Sequence, residues 1–170
     1  MGSNKNVVLI GMPGAGKSTV GVLLAKRLNF LFLDTDIYIQ AQEGKSLQEI
    51  IQTHGTEGFC DIEERHILSV DVTSHVIAPG GSVVYRPKAM EHLGTNGVII
   101  HLDLELERLK KRLNEIDARG VVIAPGQKLE ALYAKRQPLY SRYADFTVFT
   151  DGLTPDQVVE EIVEIIANSK

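Results

Sequence analysis

The chain has 170 residues, 44% of them hydrophobic, which suits one domain over residues 1–170 with a proper core. A net charge of −4 and a pI near 5.7 argue against a nucleic-acid-binding or membrane-surface protein, which would carry a concentrated basic face. The single cysteine, Cys60, excludes an intramolecular disulfide framework. The polar residues 1–6 contain no signal-peptide pattern, and we expect a cytoplasmic protein.

Short apolar segments alternate along the chain with segments of helical periodicity, which is typical of a parallel sheet covered by helices on both faces. Five segments have the composition of buried parallel strands. They are Val7–Ile10, Phe30–Leu33, Val76–Ala78, Val98–Leu102 and Phe146–Phe149. The sequence therefore predicts an α/β fold, a three-layer sandwich around a five-stranded parallel sheet.

The first strand is followed by residues 11–18, Gly-Met-Pro-Gly-Ala-Gly-Lys-Ser, and then by a helical pattern. This is a phosphate-binding loop (P-loop) in its strand-loop-helix context, rather than a chance glycine-rich turn. Lys17 is expected to reach the β and γ phosphates of ATP, and the Ser18 hydroxyl to bind Mg²⁺. The residues predicted to contact the nucleotide here are Gly14, Ala15, Gly16, Lys17, Ser18 and Thr19.

The second strand ends in two aspartates, Asp34 and Asp36, at the sheet edge where open α/β folds bind ligands. One carboxylate can orient Mg²⁺ and the other can accept the proton of an attacking hydroxyl. The structural alternative is that the pair only caps a helix. The third strand offers no acid at its tip, and the chain lacks the Asn-Lys-x-Asp motif of GTPases after the loop.

Residues from about 36 to 72 predict consecutive helices, an insertion longer than a simple crossover needs and a candidate substrate pocket. Ser46 and Glu49 have the spacing of a helix-capping box, and so do Thr154 and Gln157 before the last helix. A second irregular stretch, about 114–127, surrounds Arg119 and predicts a mobile lid.

Three further groups are candidates for binding. Gly80 and Gly81 follow the third strand and would let a ligand approach the backbone closely, unless they form a plain tight turn. Arg119 can neutralise charge on a transferring phosphoryl group, or it is a solvated loop arginine. Arg136 lies on the apolar face of a helix and requires an anionic partner, either a ligand or a carboxylate such as Glu63.

In this order and over nearly the whole chain, these residues resemble the shikimate kinase family, small P-loop kinases of a cyclic polyol acid. The motifs that carry the resemblance are the P-loop, the pair Asp34 and Asp36, Gly58-Phe59-Cys60-Asp61-Ile62-Glu63, Gly80-Gly81, Arg119 and Lys135-Arg136-Gln137-Pro138-Leu139-Tyr140. The last is quite specific. The resemblance implies transfer of the ATP γ-phosphoryl group to shikimate, giving shikimate 3-phosphate, by a monomeric or weakly associating enzyme.

The resemblance also implies a role for each matching position. Catalysis would depend on Lys17, Asp36 and Arg119, with Asp36 also binding the substrate hydroxyls. Asp34 would serve Mg²⁺ with Ser18. The substrate would lie against Gly80, Gly81 and Arg136, the last holding its carboxylate. Arg112 would lie against the adenine of ATP, and Arg119 would close on the phosphates.

Three departures from the family pattern are visible. Cys60 stands where the family has an arginine for the substrate carboxylate, although another cation, Arg65 or Arg86, could fill that place. Pro79 replaces the first of three glycines, and Gly120-Val121-Val122 replaces Pro-Leu-Leu in the lid. Cys60 has no histidine placed to activate it as a nucleophile, and we expect it to be a packing residue.

Three other functions fit part of the pattern. A nucleoside monophosphate kinase of the adenylate kinase type has a similar loop, but its Thr-Gly-Asp and Asp-Gly-Phe-Pro-Arg signatures are missing here. A nucleotide-binding regulator without catalysis is motivated by Cys60, but such a protein would not need Asp36 or Arg119. A P-loop kinase of another small hydroxy acid or of a nucleotide is the remaining alternative.

Overall fold

The structure is a computed structural model that describes residues 5–115 and 128–168. Its centre is one five-stranded sheet in which every pairing is parallel, with the strand order β2-β3-β1-β4-β5. The strands are β1 (Asn6–Ile10), β2 (Leu31–Asp34), β3 (His75–Ala78), β4 (Gly97–Asp103) and β5 (Phe146–Phe149). All five predicted strands are confirmed, with each bound within one residue of the prediction.

The difference at β2 has a local cause. Asn29 adopts a left-handed conformation at the end of the preceding helix, and the Phe30 amide donates to the carbonyl of Ala25 at 2.9 Å. Phe30 therefore still belongs to the terminus of that helix, because its amide satisfies one of the helix's last carbonyls. The strand begins one residue later, at Leu31.

Helices cover both faces of the sheet, as predicted. They are α1 (Lys17–Leu28), α2 (Thr35–Glu43), α3 (Leu47–Leu68), α4 (Pro87–Thr95), α5 (Leu106–Glu115), α6 (Leu129–Tyr143) and α7 (Pro155–Asn168), with a short 3-10 helix at Val83–Tyr85. Both predicted capping boxes form: Ser46 and Glu49 exchange hydrogen bonds at the start of α3, and Thr154 and Gln157 do so before α7.

The core has two parts, one on each side of the sheet. Val7 and Leu9 of β1 face the side where α1 and α7 pack, and Val8 and Ile10 face the opposite side, where α3 to α6 pack. This alternation follows from the two-residue period of a strand, and both faces of β1 are apolar because both are covered. The three-layer prediction is thereby confirmed.

Strand β1 is the point where the chain changes direction in the sheet, because β3 pairs with one of its edges and β4 with the other. Parallel sheets bind ligands at such a switch point, beyond the carboxyl ends of the strands. The P-loop leaves β1 at this position, and Asp34 and Pro79 end or follow the neighbouring strands β2 and β3. The fold thus gathers the candidate residues at one edge.

The predicted insertion consists of α2 and α3, which have a small apolar core of their own. Ile39 of α2 packs with Ile50, Phe59 and Ile62 of α3. Helix α3 is broken at Gly55, which has φ 71° and ψ 176°. The break turns the second half of α3 toward the main core, where Ile67 is buried. Within residues 5–115 and 128–168, no helix is long and apolar enough to cross a membrane.

Candidate active site

The P-loop has the left-handed backbone that its glycines allow. Gly14 and Gly16 have φ values of 83° and 98°, a region that residues with a Cβ rarely adopt. A Cβ on Gly14 would also lie 2.9 Å from the side chain of Leu113 in α5. The loop therefore keeps its curled shape and lies against α5, with the Ala15 amide donating to the Met12 carbonyl at 3.1 Å, and this curled backbone before α1 can form an anion cradle.

Lys17 is held over this cradle. Its Nζ donates to the carbonyls of Gly11, at 2.9 Å, and Met12, at 3.1 Å. Desolvation lowers the pKa of Lys17 from 10.5 to about 8, with a further lowering by Arg136, while the carboxylates of Asp36 and Asp34 oppose the shift. The nearby carboxylates offset only part of the desolvation of this ammonium. Such a group is suited to bind a highly charged phosphate group.

Asp34 makes contacts that fit both interpretations of the acidic pair, the helix cap and the ligand of Mg²⁺. Its Oδ1 accepts hydrogen bonds from the amides of Asp36, at 3.0 Å, and Ile37, at 3.3 Å, and so caps α2. Its Oδ2 accepts from the Ser18 hydroxyl at 2.8 Å. This carboxylate and this hydroxyl are neighbouring hard oxygen ligands at the P-loop, the donors that Mg²⁺ prefers.

Asp36 is different, because it lies in the first turn of α2 and does not cap the helix. Its Oδ1 is buried without a hydrogen-bond partner among the residues that the structure describes. Desolvation and the nearby charge of Asp34 raise the pKa of Asp36 from 3.8 to about 6, and Lys17 limits the rise. A buried carboxylate oxygen without a donor can accept a proton from a ligand hydroxyl.

Gly80 and Gly81 both lack room for a side chain, for reasons that involve the site residues themselves. A Cβ on Gly80 would lie 2.5 Å from Glu63 Oε1 and 2.9 Å from Asp36 Oδ1. A Cβ on Gly81 would lie 2.7 Å from Arg136 Nη1. These glycines were predicted to admit a ligand, and in the structure they leave room for the side chains of Glu63, Asp36 and Arg136.

Glu63 of α3 is the buried acid behind Gly80. Its Oε2 accepts from the Ser82 hydroxyl at 2.7 Å, and desolvation raises its pKa from 4.5 to about 7. The sequence analysis considered it as an ion-pair partner for Arg136, but in the described part of the chain no carboxylate forms an ion pair with Arg136. Its position in the segment from Gly58 to Glu63 was the only sequence signal for it.

Arg136 is buried on α6, where its Nε donates to the Tyr85 hydroxyl at 3.1 Å. Its guanidinium carbon lies 5.2 Å from the centre of the Tyr85 ring, and Lys135 Nζ lies 4.9 Å from the same centre. Sequence analysis gave no role to Tyr85 or Lys135. Tyr85 is separated from Arg136 by 51 residues, so no local pattern could have joined them.

These groups line one cavity of about 240 Å³. Its lining includes the P-loop, with Lys17 and Ser18, and the two aspartates. It also includes Tyr85, Lys135 and Arg136. Apolar side chains from the insertion and from α6 complete the wall, namely Leu47, Phe59 and Leu132. The cavity can therefore hold a small molecule with hydroxyls near Asp36 and an anionic group near Arg136.

The remaining candidate residues lie in different places. Arg112 of α5 donates from Nη1 to the Ala15 carbonyl at 3.4 Å, which puts it beside the P-loop. Thr19 is exposed in the first turn of α1. Arg119 and the predicted lid at about 114–127 lie outside the described residues, apart from the end of α5.

Cys60 is buried on α3, as the packing interpretation expected, and burial raises the pKa of its thiol. The neighbouring residue, Phe59, lines the cavity. Of the two cations suggested as substitutes for the missing arginine, Arg65 pairs with Glu43 at 2.6 Å. Arg86 pairs with Glu57 at 2.7 Å and with Asp61 at 2.8 Å. Both arginines therefore already form ion pairs with acidic side chains.

Comparison with known proteins agrees with this geometry. The model of the family described as shikimate kinase matches residues 13–167. The chain belongs to the shikimate kinase family. It is 41% identical to the shikimate kinase of Thermodesulfovibrio yellowstonii, covering 98% of this chain and 99% of that one. It is 36% identical to the shikimate kinase of Caldanaerobacter subterraneus subsp. tengcongensis, covering 94% of each.

Solved structures place this shikimate kinase family member in the same fold. The shikimate kinase of Acinetobacter baumannii, in complex with shikimate, superposes with a TM-score of 0.86 at 30% identity, covering 98% of this chain and 94% of that one. The Aquifex aeolicus shikimate kinase gives 0.74 at 27% identity, covering 96% and 97%. The resemblance inferred from the motifs is thus confirmed, and with it the expected α/β P-loop fold.

Proposed function

We propose that this protein transfers the γ-phosphoryl group of ATP to a hydroxyl of shikimate, giving ADP and shikimate 3-phosphate. The observation that carries the proposal is the polarity of the cavity. The cavity is lined by Asp36, which has a buried carboxylate oxygen without a donor among the described residues, and by the buried guanidinium of Arg136, which has no carboxylate partner among them. A molecule that bears hydroxyls and one carboxylate, as shikimate does, complements both groups.

In the proposed reaction, Asp36 accepts the proton of the acceptor hydroxyl while the oxygen of that hydroxyl forms a bond to the γ phosphorus. The bond from that phosphorus to the β-γ bridging oxygen breaks, and ADP leaves. Lys17 and the loop amides lie where negative charge accumulates on the phosphates, so they stabilise the transferring group electrostatically. Without a bound acceptor, only slow hydrolysis of ATP would remain, because the positioning of the acceptor supplies much of the rate.

The residues present fit the donor and its metal. The curled loop offers amides and the N-terminus of α1 to the phosphates. Ser18 and Asp34 would hold Mg²⁺, which supplies charge neutralisation at the phosphates when bound. Arg112, beside the Ala15 carbonyl, is placed to contact the nucleotide, and Arg119 is proposed as the lid cation.

The surroundings of the reaction follow from the same proposal. We also propose a monomer or a weakly associating protein. We propose a cytoplasmic location, since the donor is ATP and Cys60 is a free thiol.

The test is ATP consumption by the purified protein with MgATP alone and with added shikimate, followed by mass spectrometry of the product. We expect shikimate-dependent release of ADP and a product heavier by one phosphoryl group. Asp36→Asn should lower kcat by about a hundredfold or more while the affinity for ATP changes little, because the amide cannot accept the proton. ATP consumption that shikimate does not increase would contradict the proposal.

A further inference from the structure

Two positive groups that line the cavity, on Lys135 and Arg136, lie close to the same aromatic ring. Lys135 Nζ lies 4.9 Å and the Arg136 guanidinium carbon 5.2 Å from the centre of the Tyr85 ring. Both distances are within the range of cation–π attraction, so the ring favours positive charge at this place. The Tyr85 hydroxyl, at 3.1 Å from Arg136 Nε, also fixes the orientation of the guanidinium.

The two cations are not neutralised by the protein around them. Within residues 5–115 and 128–168, no carboxylate forms an ion pair with Lys135 or Arg136. Glu63, the buried acid considered for Arg136, accepts from the Ser82 hydroxyl through Oε2 and forms no ion pair with Arg136, although the two charges influence each other; burial raises its pKa to about 7. Two positive groups that line the same cavity and have no acid partner among the described residues would be stabilised by an anionic ligand there.

Arg86 and Arg65, the cations considered as substitutes for the missing arginine, already have acidic partners. Arg86 has ion pairs with Glu57 and Asp61, and Arg65 has one with Glu43. Neither lines the cavity, whereas Lys135 does. Lys135 is exposed at the mouth, so its ammonium can reach a ligand without moving other residues.

We propose that Lys135, with Arg136, binds the carboxylate of the acceptor and supplies the second positive charge that Cys60 does not. Tyr85 is the positioning residue of this pair, through its ring and its hydroxyl. The inference rests on the proposed function, because it takes the carboxylate of shikimate as the anion. Lys135 is thereby a residue that determines substrate affinity, not one that takes part in the transfer of the phosphoryl group.

The experiment compares KM for shikimate, KM for ATP and kcat in the wild type and in Lys135→Ala, Lys135→Glu and Lys135→Arg. We expect Lys135→Ala to raise KM for shikimate by about three- to tenfold, since a partly exposed charge contact is weaker than a buried one. Lys135→Glu should raise it further, and Lys135→Arg should stay within about twofold of the wild type. KM for ATP and kcat should change by less than about twofold, because the contact is remote from the reacting hydroxyl.

Lys88→Ala is the matched control, since it removes one exposed positive charge on α4 that does not line the cavity. An order of KM that follows the charge at position 135, with Lys88→Ala equal to the wild type, supports the inference. Equal KM for shikimate in wild type, Lys135→Ala and Lys135→Glu overturns it while leaving the proposed function in place. A wild type that shows no shikimate-dependent turnover overturns the proposed function and this inference together.

Discussion

Lys17 and Asp36 have opposite protonation requirements in the proposed reaction. Asp36 must be ionised to accept the hydroxyl proton, and Lys17 must be protonated to stabilise the phosphates. Desolvation moves the two pKa values toward each other, to about 6 for Asp36 and about 8 for Lys17. The free enzyme is therefore competent in the window between these values, which contains neutral pH.

We accordingly expect a bell-shaped pH profile for kcat/KM for ATP, with an acidic limb near pH 6 and an alkaline limb near pH 8. In kcat at saturating MgATP the alkaline limb should move to higher pH, because bound phosphates favour the protonated amine. Initial rates between about pH 5 and 9.5 measure both profiles, kcat/KM with ATP and shikimate below their KM values and kcat with both saturating.

Glu63 provides the control for the acidic limb. Its pKa is also raised, to about 7, and its charge and that of Asp36 influence each other. Glu63→Gln should keep the acidic limb near pH 6, because Glu63 is mostly protonated at the pH where Asp36 titrates. If the limb disappears in Glu63→Gln, Glu63 and not Asp36 is the titrating base.

At the residue scale, the sequence was sufficient for positions that a local motif defines and insufficient for long-range neighbours. The strand-loop-helix context identified Lys17 and Ser18, and the strand end identified Asp34 and Asp36. The closeness of Tyr85 to α6 depends on the packing of the 3-10 helix against that helix, which no spacing in the chain encodes. The departure at Cys60 was visible, but its consequence for Lys135 needed the ion pairs of Arg65 and Arg86.

At the element scale, the break in α3 is the feature that shapes the acceptor pocket. The break at Gly55 separates Leu47 and Ile50 on one side from Phe59 and Ile62 on the other. Thr56 and Phe59, just after it, line the cavity. The sequence predicted consecutive helices in this insertion and a capping box at Ser46, but a glycine within a helical pattern does not by itself reveal a break.

Gly55→Ala should destabilise the fold by about 2 to 3 kcal/mol, because φ 71° and ψ 176° form a region almost restricted to glycine. Gly44→Ala is the matched control: Gly44, at φ 63° and ψ 24°, is left-handed, and an added Cβ would meet no atom within 4 Å at either position. We expect about 1 kcal/mol there. Urea unfolding measures both.

The same pair of variants separates stability from function. Gly55→Ala should also raise KM for shikimate, because Thr56 and Phe59 would move, whereas Gly44→Ala should leave it unchanged. Equal losses of stability in the two variants would show that the backbone at Gly55 is not strained for alanine, and that the break has another cause.

At the scale of the whole molecule, the sheet and its two apolar faces stabilise a fold whose site lowers the free energy of unfolding. Lys17, Asp36 and Glu63 bring three ionisable groups with shifted pKa values to one edge of the sheet. Each shift toward the neutral form means that the charged form is disfavoured in the folded state. The cores built on β1 must offset this cost, as expected for a site selected for catalysis and not for stability.

Asp36→Asn should therefore make the protein more stable at neutral pH while inactivating it. The folded-state pKa of Asp36 is raised from 3.8 to about 6, so its ionisation opposes folding as the pH rises through this interval, and the full cost is present above it. At about 1.4 kcal/mol per pKa unit, the net shift, which already includes the attraction to Lys17, sets an upper limit of about 3 kcal/mol, and we expect a gain of about 1 to 3 kcal/mol at pH 7. Near pH 4 the gain should fall below about 1 kcal/mol, because Asp36 is protonated in the folded state and only partly ionised in the unfolded one. Urea unfolding at the two pH values measures the difference, with the exposed Asp71→Asn as the control for a lost charge alone. A gain that is equal at both pH values, or a loss at pH 7, would mean that Asp36 is not held at a destabilising charge and that its raised pKa does not describe the folded enzyme.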